Sequence, residues 1–336
     1  MAIPRPLFLM GSKRSGTTIA VNVLNAHPRL FVSHEADTAW ILYQARNGRP
    51  ARFEPHPLDS DMLLRSTLRR HGRVLRSTLG DPPTHAQLVE AFYGIQTRLL
   101  RDYMSPSLSD RLWRFGGEVG KRPSPRRLWQ VLRKRRWPVI KDALAWIGDK
   151  KHAQHLDPEV QSFLRSHFPD ARYIHLVRHP AGAVGSMLEA AREWYVMPEY
   201  FKGTVAEILE QWAIHEEWAL QAIERDPASV LVVRLEDLCA DPVATTTRVL
   251  EFLDLEMTEA YAADLLQHVR VGNPNRRYAG LPLPEVPRAA RIMELYGYTG
   301  LGRTLPLPLR EAAGAARAGI TGEAAARIPE AEEMER

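Results

Sequence analysis

The chain has 336 residues, of which 45% are hydrophobic, and its formal net charge is +5. This length is enough for one large α/β domain, or two small ones, with an ample core. A positive charge favours anionic ligands such as nucleotides, sulfated or phosphorylated acceptors, or a membrane surface. We do not expect a nucleic-acid partner, because the basic residues are not interleaved with a recognisable aromatic motif.

Cys239 is the only cysteine, so the chain cannot form an intramolecular disulfide. A single cysteine is compatible with the reducing cytoplasm. No apolar run approaches the roughly 20 residues of a membrane span, and the short, polar N-terminus does not resemble a signal peptide. We therefore expect a cytoplasmic protein without an integral membrane segment. Peripheral membrane contact and the oligomeric state stay open.

The first predicted element is a short buried strand over the apolar run Pro6–Met10. It leads into the loop Gly11–Thr18, with the sequence GSKRSGTT, and then into a helix over about Thr17–Ala26. This order directs several backbone N–H groups and a helix N-terminus at one point, which suits an anion. The sequence therefore predicts a phosphate-binding loop.

The order of the loop residues decides which phosphate compound fits. A loop that binds nucleoside triphosphates has Lys and then Ser or Thr after its last glycine, whereas Thr17 and Thr18 follow Gly16 here. The cations stand earlier, at Lys13 and Arg14. Such a loop is poorly suited to a triphosphate with Mg²⁺. It is better suited to an adenylate whose 5′ end carries a phosphosulfate.

The next strand is predicted over Leu30–Val32 and is followed by His34 and Glu35. Apolar strands that alternate with helices along the rest of the chain predict an α/β fold, with a parallel sheet flanked by helices on both faces. The other predicted strands are Val139–Ile140, Tyr173–Val177 and Val230–Val233, and the other predicted helices are Thr38–Ala45, Glu159–His167, Ala181–Arg192, Val205–Glu224 and Val243–Leu253.

Two segments resemble a known family. The segment Lys13–Thr18 resembles the 5′-phosphosulfate loop of sulfotransferases that use 3′-phosphoadenosine 5′-phosphosulfate (PAPS). The segment Ala171–Pro180, followed by Ser186, resembles the 3′-phosphate element of that family. The resemblance extends from Phe8 to about Leu255 and implies the P-loop-like sulfotransferase fold. It also implies transfer of a sulfuryl group from PAPS, without a metal, to a hydroxyl or amine of an acceptor such as a carbohydrate or small natural product.

The resemblance implies a donor site made by two groups of residues. Arg14 is implied to contact the 5′-phosphosulfate, while Arg178 and Ser186 bind the 3′-phosphate, because a guanidinium fork suits tetrahedral oxyanions. A late basic loop is implied to lie over the nucleotide. The residues implied for donor binding are Arg14, Ser15, Gly16, Thr17, Thr18, Arg178, Ser186, Arg276 and Arg277.

The same resemblance implies residues for the chemistry. Sulfuryl transfer spreads charge over the transferred group and the leaving phosphate, so the site needs cations and a base for the acceptor proton. Arg14 and Lys141 are the implied cations, and Lys141 is implied to reach the sulfuryl group. Glu35 is the implied base, as in sulfotransferases of the protein-tyrosine and carbohydrate type. His34 is the alternative base, because cytosolic small-molecule sulfotransferases use His.

We expect a single domain over residues 1–310, followed by a C-terminal helix or flexible tail over residues 311–336. Residues 46–137 are rich in Arg and helical in periodicity, which indicates a helical insertion. Glu35 and Lys141 flank this insertion, so it is expected to form a wall or lid of the acceptor site. Two other functions stay open: a P-loop kinase-like phosphotransferase and a nonenzymatic nucleotide-binding protein.

Overall fold

A parallel sheet forms the centre of the fold in the computed structural model. The strands are Arg5–Gly11 (β1), Leu30–His34 (β2), Trp146–Lys150 (β3), Arg172–Val177 (β4), Val230–Arg234 (β5), Tyr298–Gly300 (β6) and Arg303–Thr304 (β7). Strands β1 to β5 are parallel and lie in the order β2-β3-β1-β4-β5, and β6 pairs with β7 in an antiparallel ribbon. The structure describes residues 3–34, 36–47, 72, 74–75, 77–104, 139–141, 143–193, 203–300 and 303–304.

Helices cover the sheet and begin with recognisable capping residues. Asp157 caps one helix by accepting hydrogen bonds from the N–H groups of Glu159 and Val160, and Thr204 forms a capping box with Glu207 at another. Within the described ranges, no helix has the length and apolar character needed to span a membrane. The helices are Thr17–Ala26 (α1), Thr38–Arg46 (α2), His85–Met104 (α3), Pro158–His167 (α4), Pro180–Glu193 (α5), Val205–Arg225 (α6), Leu235–Ala240 (α7), Pro242–Phe252 (α8), Glu259–Leu265 (α9) and Pro287–Leu295 (α10).

Alternate side chains of the central strand β1 enter two separate cores. Phe8 and Met10 pack in the core that contains residues of α2, α3, α4 and α6. Leu7 and Leu9 pack in the core that contains residues of α1 and α8. Both faces of the sheet are therefore buried, which explains why β1 is apolar at consecutive positions rather than at alternate ones. The α/β fold with a parallel sheet flanked by helices, predicted from the sequence, is confirmed.

The strand predicted at Val139–Ile140 is wrong. Ile140 is 79% exposed, and the third strand of the sheet is β3, which begins later in the chain. The sequence of β3 contains Gly148 and Asp149, which do not resemble a buried apolar strand. A Cβ atom at Gly148 would lie 1.7 Å from the carbonyl oxygen of Leu7, so only glycine allows β1 and β3 to approach.

Part of the region predicted as an insertion belongs to the core. Helix α3 falls within residues 46–137, and its buried residues Leu88, Phe92 and Ile95 join the same core as Phe8. The rings of Phe8 and Phe92 lie 5.6 Å apart between centroids. This helix therefore covers one face of the sheet. The role of the insertion as a wall or lid stays a prediction, because most of its residues lie outside the described ranges.

Candidate active site

The loop between β1 and α1 has the backbone of an anion-binding turn. Arg14 and Gly16 adopt left-handed conformations, with φ of 67° and 92°. Such a conformation is uncommon for a residue other than glycine and recurs at ligand sites. A Cβ at Gly16 would lie 2.6 Å from a methyl carbon of Leu235, so glycine is required there for space as well. Helix α1 begins at Thr17, directly after this turn.

Two buried hydroxyl groups in the loop fit an anionic ligand. Ser12 and Ser15 are 1% and 0% exposed, and within the described residues neither hydroxyl has a hydrogen-bond partner. The first N–H groups of α1 also have no partner within their own helix, as at any helix N-terminus. A phosphate or sulfate oxygen accepts hydrogen bonds from both kinds of donor. The loop therefore offers buried donors that suit an anionic group.

The structure brings Arg14, Arg178 and Ser186 together across two adjacent strands. Arg14 Nε donates a hydrogen bond of 2.9 Å to Ser186 Oγ, and Arg178 Nη1 donates one of 3.2 Å to the carbonyl oxygen of Arg14. The carboxyl ends of β1 and β4 are neighbours, which places the loop beside the start of α5. Residues predicted for the two ends of the nucleotide thus lie in direct contact.

Arg178 is held rigidly by neutral oxygen atoms. Its Nε donates to Asn275 Oδ1 and its Nη2 donates to the carbonyl oxygen of Pro274, each at 2.9 Å. These bonds and the one to Arg14 use three of the five N–H groups of a guanidinium. Burial lowers the pKa of Arg178, while the nearby Glu236 raises it. The guanidinium is therefore preorganised and retains donors for an anion.

The late loop that carries Arg276 and Arg277 lies against α5. Tyr278 OH donates a hydrogen bond of 2.6 Å to Glu189 Oε2, and Arg277 Nη2 lies 2.8 Å from Glu189 Oε1. The Arg178 guanidinium carbon lies 5.5 Å from the centroid of the Tyr278 ring. Both arginines are exposed at the surface of this loop. The loop thus reaches the Arg178 side of the site, and the charge of Arg277 is paired.

Lys141 lies away from this site. Its ammonium donates hydrogen bonds of 2.7 and 2.5 Å to the carbonyl oxygens of Asn25 and His27, at the C-terminal end of α1. Helix α1 begins at the carboxyl edge of the sheet and runs back, so its last turn lies at the opposite edge. The expectation that Lys141 reaches the sulfuryl group is therefore not supported by its position. Its role in the structure is to cap α1.

The burial of Lys141 predicts that the stability of the protein depends on pH. Burial lowers the pKa of Lys141 from 10.5 to about 7, so between these values the unfolded chain binds more protons than the folded one. The free energy of unfolding is therefore expected to rise with pH across this window. Urea unfolding at several pH values measures the rise. A Lys141→Met variant with the same pH dependence as the wild type would contradict the assignment.

A different lysine occupies the place that was predicted for Lys141. Lys150 ends β3 and is fully buried, in register with Leu9 of β1 and His34 of β2. Its Nζ lies 3.5 Å from His152 Nε2, and His152 Nδ1 lies 3.4 Å from the Thr17 hydroxyl oxygen. Lys150 therefore lies at the same edge of the sheet as the phosphate-binding loop. Sequence reasoning missed it, although a run of Lys, Lys and His after Trp146–Asp149 was a readable signal.

The segments on the two sides of position 35, where the predicted base stands in the sequence, are tied together through one buried carboxylate. Ser33 Oγ donates a hydrogen bond of 2.9 Å to Asp149 Oδ1, and the N–H of Ala39 donates one of 3.3 Å to Asp149 Oδ2. Burial alone raises the pKa of Asp149, but His155 and these hydrogen bonds hold it below its usual value. Asp149 is therefore an anion that ties β2 to α2.

The two predicted bases, His34 and Glu35, stand in the sequence between Ser33 and Ala39. His34 ends β2 at the carboxyl edge of the sheet and is exposed. Glu35 follows it and lies outside the described residues. The pair of Lys151 and Asp37 adds a further anchor next to them. His34 is thus placed near Lys150, and Glu35 stays a prediction.

The comparison with known proteins identifies the family. Residues 6–259 match the sulfotransferase family. The chain belongs to this family. The match covers the loop, Lys150, β4 and Arg178, whereas Asn275 and Tyr278 follow the matched segment. Membership supports sulfuryl transfer as the class of reaction of this sulfotransferase. A comparison with curated proteins gave no match.

Solved structures with a similar fold are also sulfotransferases. The sulfotransferase domain of the Synechococcus PCC 7002 olefin synthase is 20% identical, with a TM-score of 0.49 and coverage of 91% of this chain and 98% of that one. For STF9 from Mycobacterium avium these values are 18%, 0.43, 90% and 79%. For mouse SULT7A1 complexed with PAP they are 13%, 0.37, 92% and 90%. These similarities are too distant to give information about the site beyond the family match.

Proposed function

We propose that this sulfotransferase moves a sulfuryl group from PAPS to a hydroxyl or amine of an acceptor. The observation that carries the proposal is the contact between two anion-binding elements at the ends of β1 and β4. One element is the loop with Arg14, and the other consists of Arg178 and Ser186. Two anionic groups on one nucleotide, at its 3′ and 5′ positions, fit two adjacent elements of this kind.

The loop argues against a nucleoside triphosphate as the donor. A P-loop kinase needs the lysine that follows the last glycine, and Thr17 stands in its place. Within the described residues, no group of three or more His, Cys, Asp and Glu side chains is arranged to hold a metal ion. The proposed donor contacts use backbone N–H groups, the loop hydroxyls, Arg14, Arg178 and Ser186, and none of them requires a metal.

In the proposed reaction, cations stabilise the leaving phosphate and a base accepts the proton of the acceptor. PAPS supplies an activated sulfuryl group whose departure leaves negative charge on the 5′-phosphate. Arg14 and Lys150 would stabilise that charge, because fixed cations at a buried site act strongly on it. Glu35, with His34 as the alternative, would accept the proton of the acceptor nucleophile. The acceptor class stays a carbohydrate or small natural product, with residues 46–137 proposed as part of its binding wall.

Nucleotide binding tests the donor assignment directly. Arg178→Ala is expected to weaken binding of 3′-phosphoadenosine 5′-phosphate (PAP) by roughly 10–100-fold, because a buried charge-assisted contact is lost. Calorimetry in the presence of EDTA measures the affinity. Arg172→Ala is the matched control, since Arg172 begins the same strand at the opposite edge and pairs with Asp254.

Three results would contradict the proposal, each at a different level. A wild-type protein that does not bind PAP, and does not transfer label from ³⁵S-labelled PAPS to any of a panel of carbohydrate, phenol, lipid and peptide acceptors, would exclude the function. Binding of PAP without transfer to any acceptor would favour the nonenzymatic alternative. Equal affinities of wild type and Arg178→Ala would remove Arg178 from the 3′-phosphate site.

A further inference from the structure

A buried carboxylate lies directly behind the Arg178 side of the donor site. Glu236, in the first turn of α7, is 8% exposed. Its Oε1 accepts hydrogen bonds from the N–H of His179 at 2.9 Å and from Asn275 Nδ2 at 2.6 Å. Its Oε2 accepts one from Tyr298 OH at 2.9 Å. A single side chain thus joins β4, the late loop and β6.

The contact between Glu236 and Asn275 determines which end of the Asn275 amide faces Arg178. An ionised carboxylate can only accept hydrogen bonds, so the amide NH₂ of Asn275 must point towards Glu236. The amide oxygen then points the other way, where it accepts the bond from Arg178 Nε. The reversed amide would place its NH₂ against the guanidinium and its oxygen against the carboxylate. Glu236 therefore selects the orientation of Asn275 that holds Arg178.

The packing around Asn275 leaves this side chain little alternative. Asn275 is fully buried, and a Cβ atom on Gly182 would lie 1.8 Å from its amide oxygen and 2.6 Å from Arg178 Nε. Gly182 is in the first turn of α5, and the N–H of His179, just before that helix, is bonded to Glu236. The carboxylate thus fixes the start of α5 as well as the amide that holds Arg178.

We propose that Glu236 is a positioning residue for the 3′-phosphate site, and that it acts on Arg178 through Asn275. The inference rests on the proposed function, because it requires a donor with a 3′-phosphate. It also gives a role to the segment that follows the family match, since Asn275 and Tyr298 both belong to that segment. The late loop contacts Arg178 directly through Pro274 and Asn275, and Glu236 ties Asn275 to Tyr298 of β6.

The test compares two nucleotides that differ only in the 3′-phosphate. Glu236→Ala is expected to weaken binding of PAP at least about tenfold, as for loss of a contact to a charged group. Binding of 5′-AMP should change less than about threefold, because the hydrogen bonds of Glu236 go to His179, Asn275 and Tyr298 and none goes to the loop between β1 and α1. Calorimetry and thermal unfolding are measured for each variant. A donor KM that rises while kcat at saturating PAPS is unchanged is the expected kinetic counterpart.

Two further variants separate positioning from folding. Glu236→Gln can keep both hydrogen bonds on its amide oxygen and donate to Tyr298 OH, so its PAP affinity should stay within about threefold of wild type. Glu216→Gln is the matched control, because Glu216 is another buried carboxylate, bonded to His175 and adjacent to Tyr296 in the core. It should leave the affinities for both nucleotides unchanged.

The outcomes distinguish this inference from the proposed function. If wild-type protein does not bind PAP, the proposed function fails first. If wild type binds PAP but Glu236→Ala binds it equally well, or loses PAP and 5′-AMP to the same extent, the positioning role is excluded. If Glu236→Ala does not fold, Asn275→Ala replaces it and must show the same selective loss of PAP. An Asn275→Ala variant with wild-type selectivity overturns the inference.

Discussion

Replacement of Glu35 by Gln is expected to lower turnover by roughly 10²–10⁴-fold, because it removes the proposed base that accepts the acceptor proton. The substitution keeps the size and hydrogen-bonding shape of the side chain. PAP affinity is therefore expected to change little. Steady-state transfer from labelled PAPS gives kcat, and calorimetry with PAP gives the affinity on the same preparation.

His34→Asn is the companion variant, because His34 is the alternative base. It should retain most of the activity if Glu35 accepts the proton. A fully active Glu35→Gln enzyme together with an inactive His34→Asn enzyme would assign the role to His34. Loss of activity in both variants, with PAP affinity intact, would mean that turnover needs both side chains. Neither residue could then be assigned as the base on its own.

The hydrogen bonds of Asp149 bear on this comparison. Asp149 accepts them from Ser33 Oγ and from the N–H of Ala39, on the two sides of positions 34 and 35 in the sequence. Neither substitution removes a donor or an acceptor of these two bonds. A loss of turnover in a variant that keeps its PAP affinity is therefore attributed to the substituted side chain.

The loop between β1 and α1 could be predicted from the sequence because its signal is local. The apolar strand β1, the turn with Gly16 and the start of α1 follow one another without interruption, and the predicted bounds of α1 agree with the structure. Arg178 directly follows β4, and Ser186 is eight residues later on α5. Their contact with Arg14 was not predicted, but it agrees with the rule that parallel strands end at the same edge of the sheet.

The third strand could not be predicted because its burial depends on distant partners. Asp149 and Lys150 are both fully buried, although an isolated reading of β3 makes them surface residues. Asp149 is stabilised by Ser33 and His155, which lie outside the strand. The two apolar residues Val139 and Ile140 gave a stronger local signal for a strand. A search for apolar patterns cannot detect charged residues that are buried together with a partner.

The support behind Arg178 was missed for a related reason. Glu236 and Asn275 are 39 residues apart, and Tyr298 lies still further along the chain. No spacing rule connects such positions. The late loop was expected over the nucleotide only from the family resemblance, and the hydrogen bond that Arg178 donates to Asn275 is a product of the three-dimensional fold. Tertiary hydrogen bonds of this kind carry no periodic signal in the sequence.

The second large expected effect concerns Lys150, which we propose as a cation of the reaction in place of Lys141. Lys150→Met is expected to lower kcat by roughly 10²–10³-fold, because it removes a buried cation at the carboxyl edge, beside the proposed site of charge development. Methionine is unbranched like lysine and only one atom shorter, so it can fill most of the same buried space. Thermal unfolding and circular dichroism establish that the variant is folded before kcat is measured with saturating PAPS.

Lys141→Met is the matched control, since it makes the same change at a lysine that is also buried. It should leave kcat within about threefold of wild type, because its ammonium bonds the end of α1 at the opposite edge. The expected effect of Lys141→Met is on stability. Loss of two hydrogen bonds to backbone carbonyls is expected to change the free energy of unfolding by about 1–3 kcal/mol. The reverse result, an active Lys150→Met enzyme and an inactive but folded Lys141→Met enzyme, would return the catalytic role to Lys141. It would also require that the edge of the sheet where Lys150 ends β3 is not the edge where sulfuryl transfer occurs.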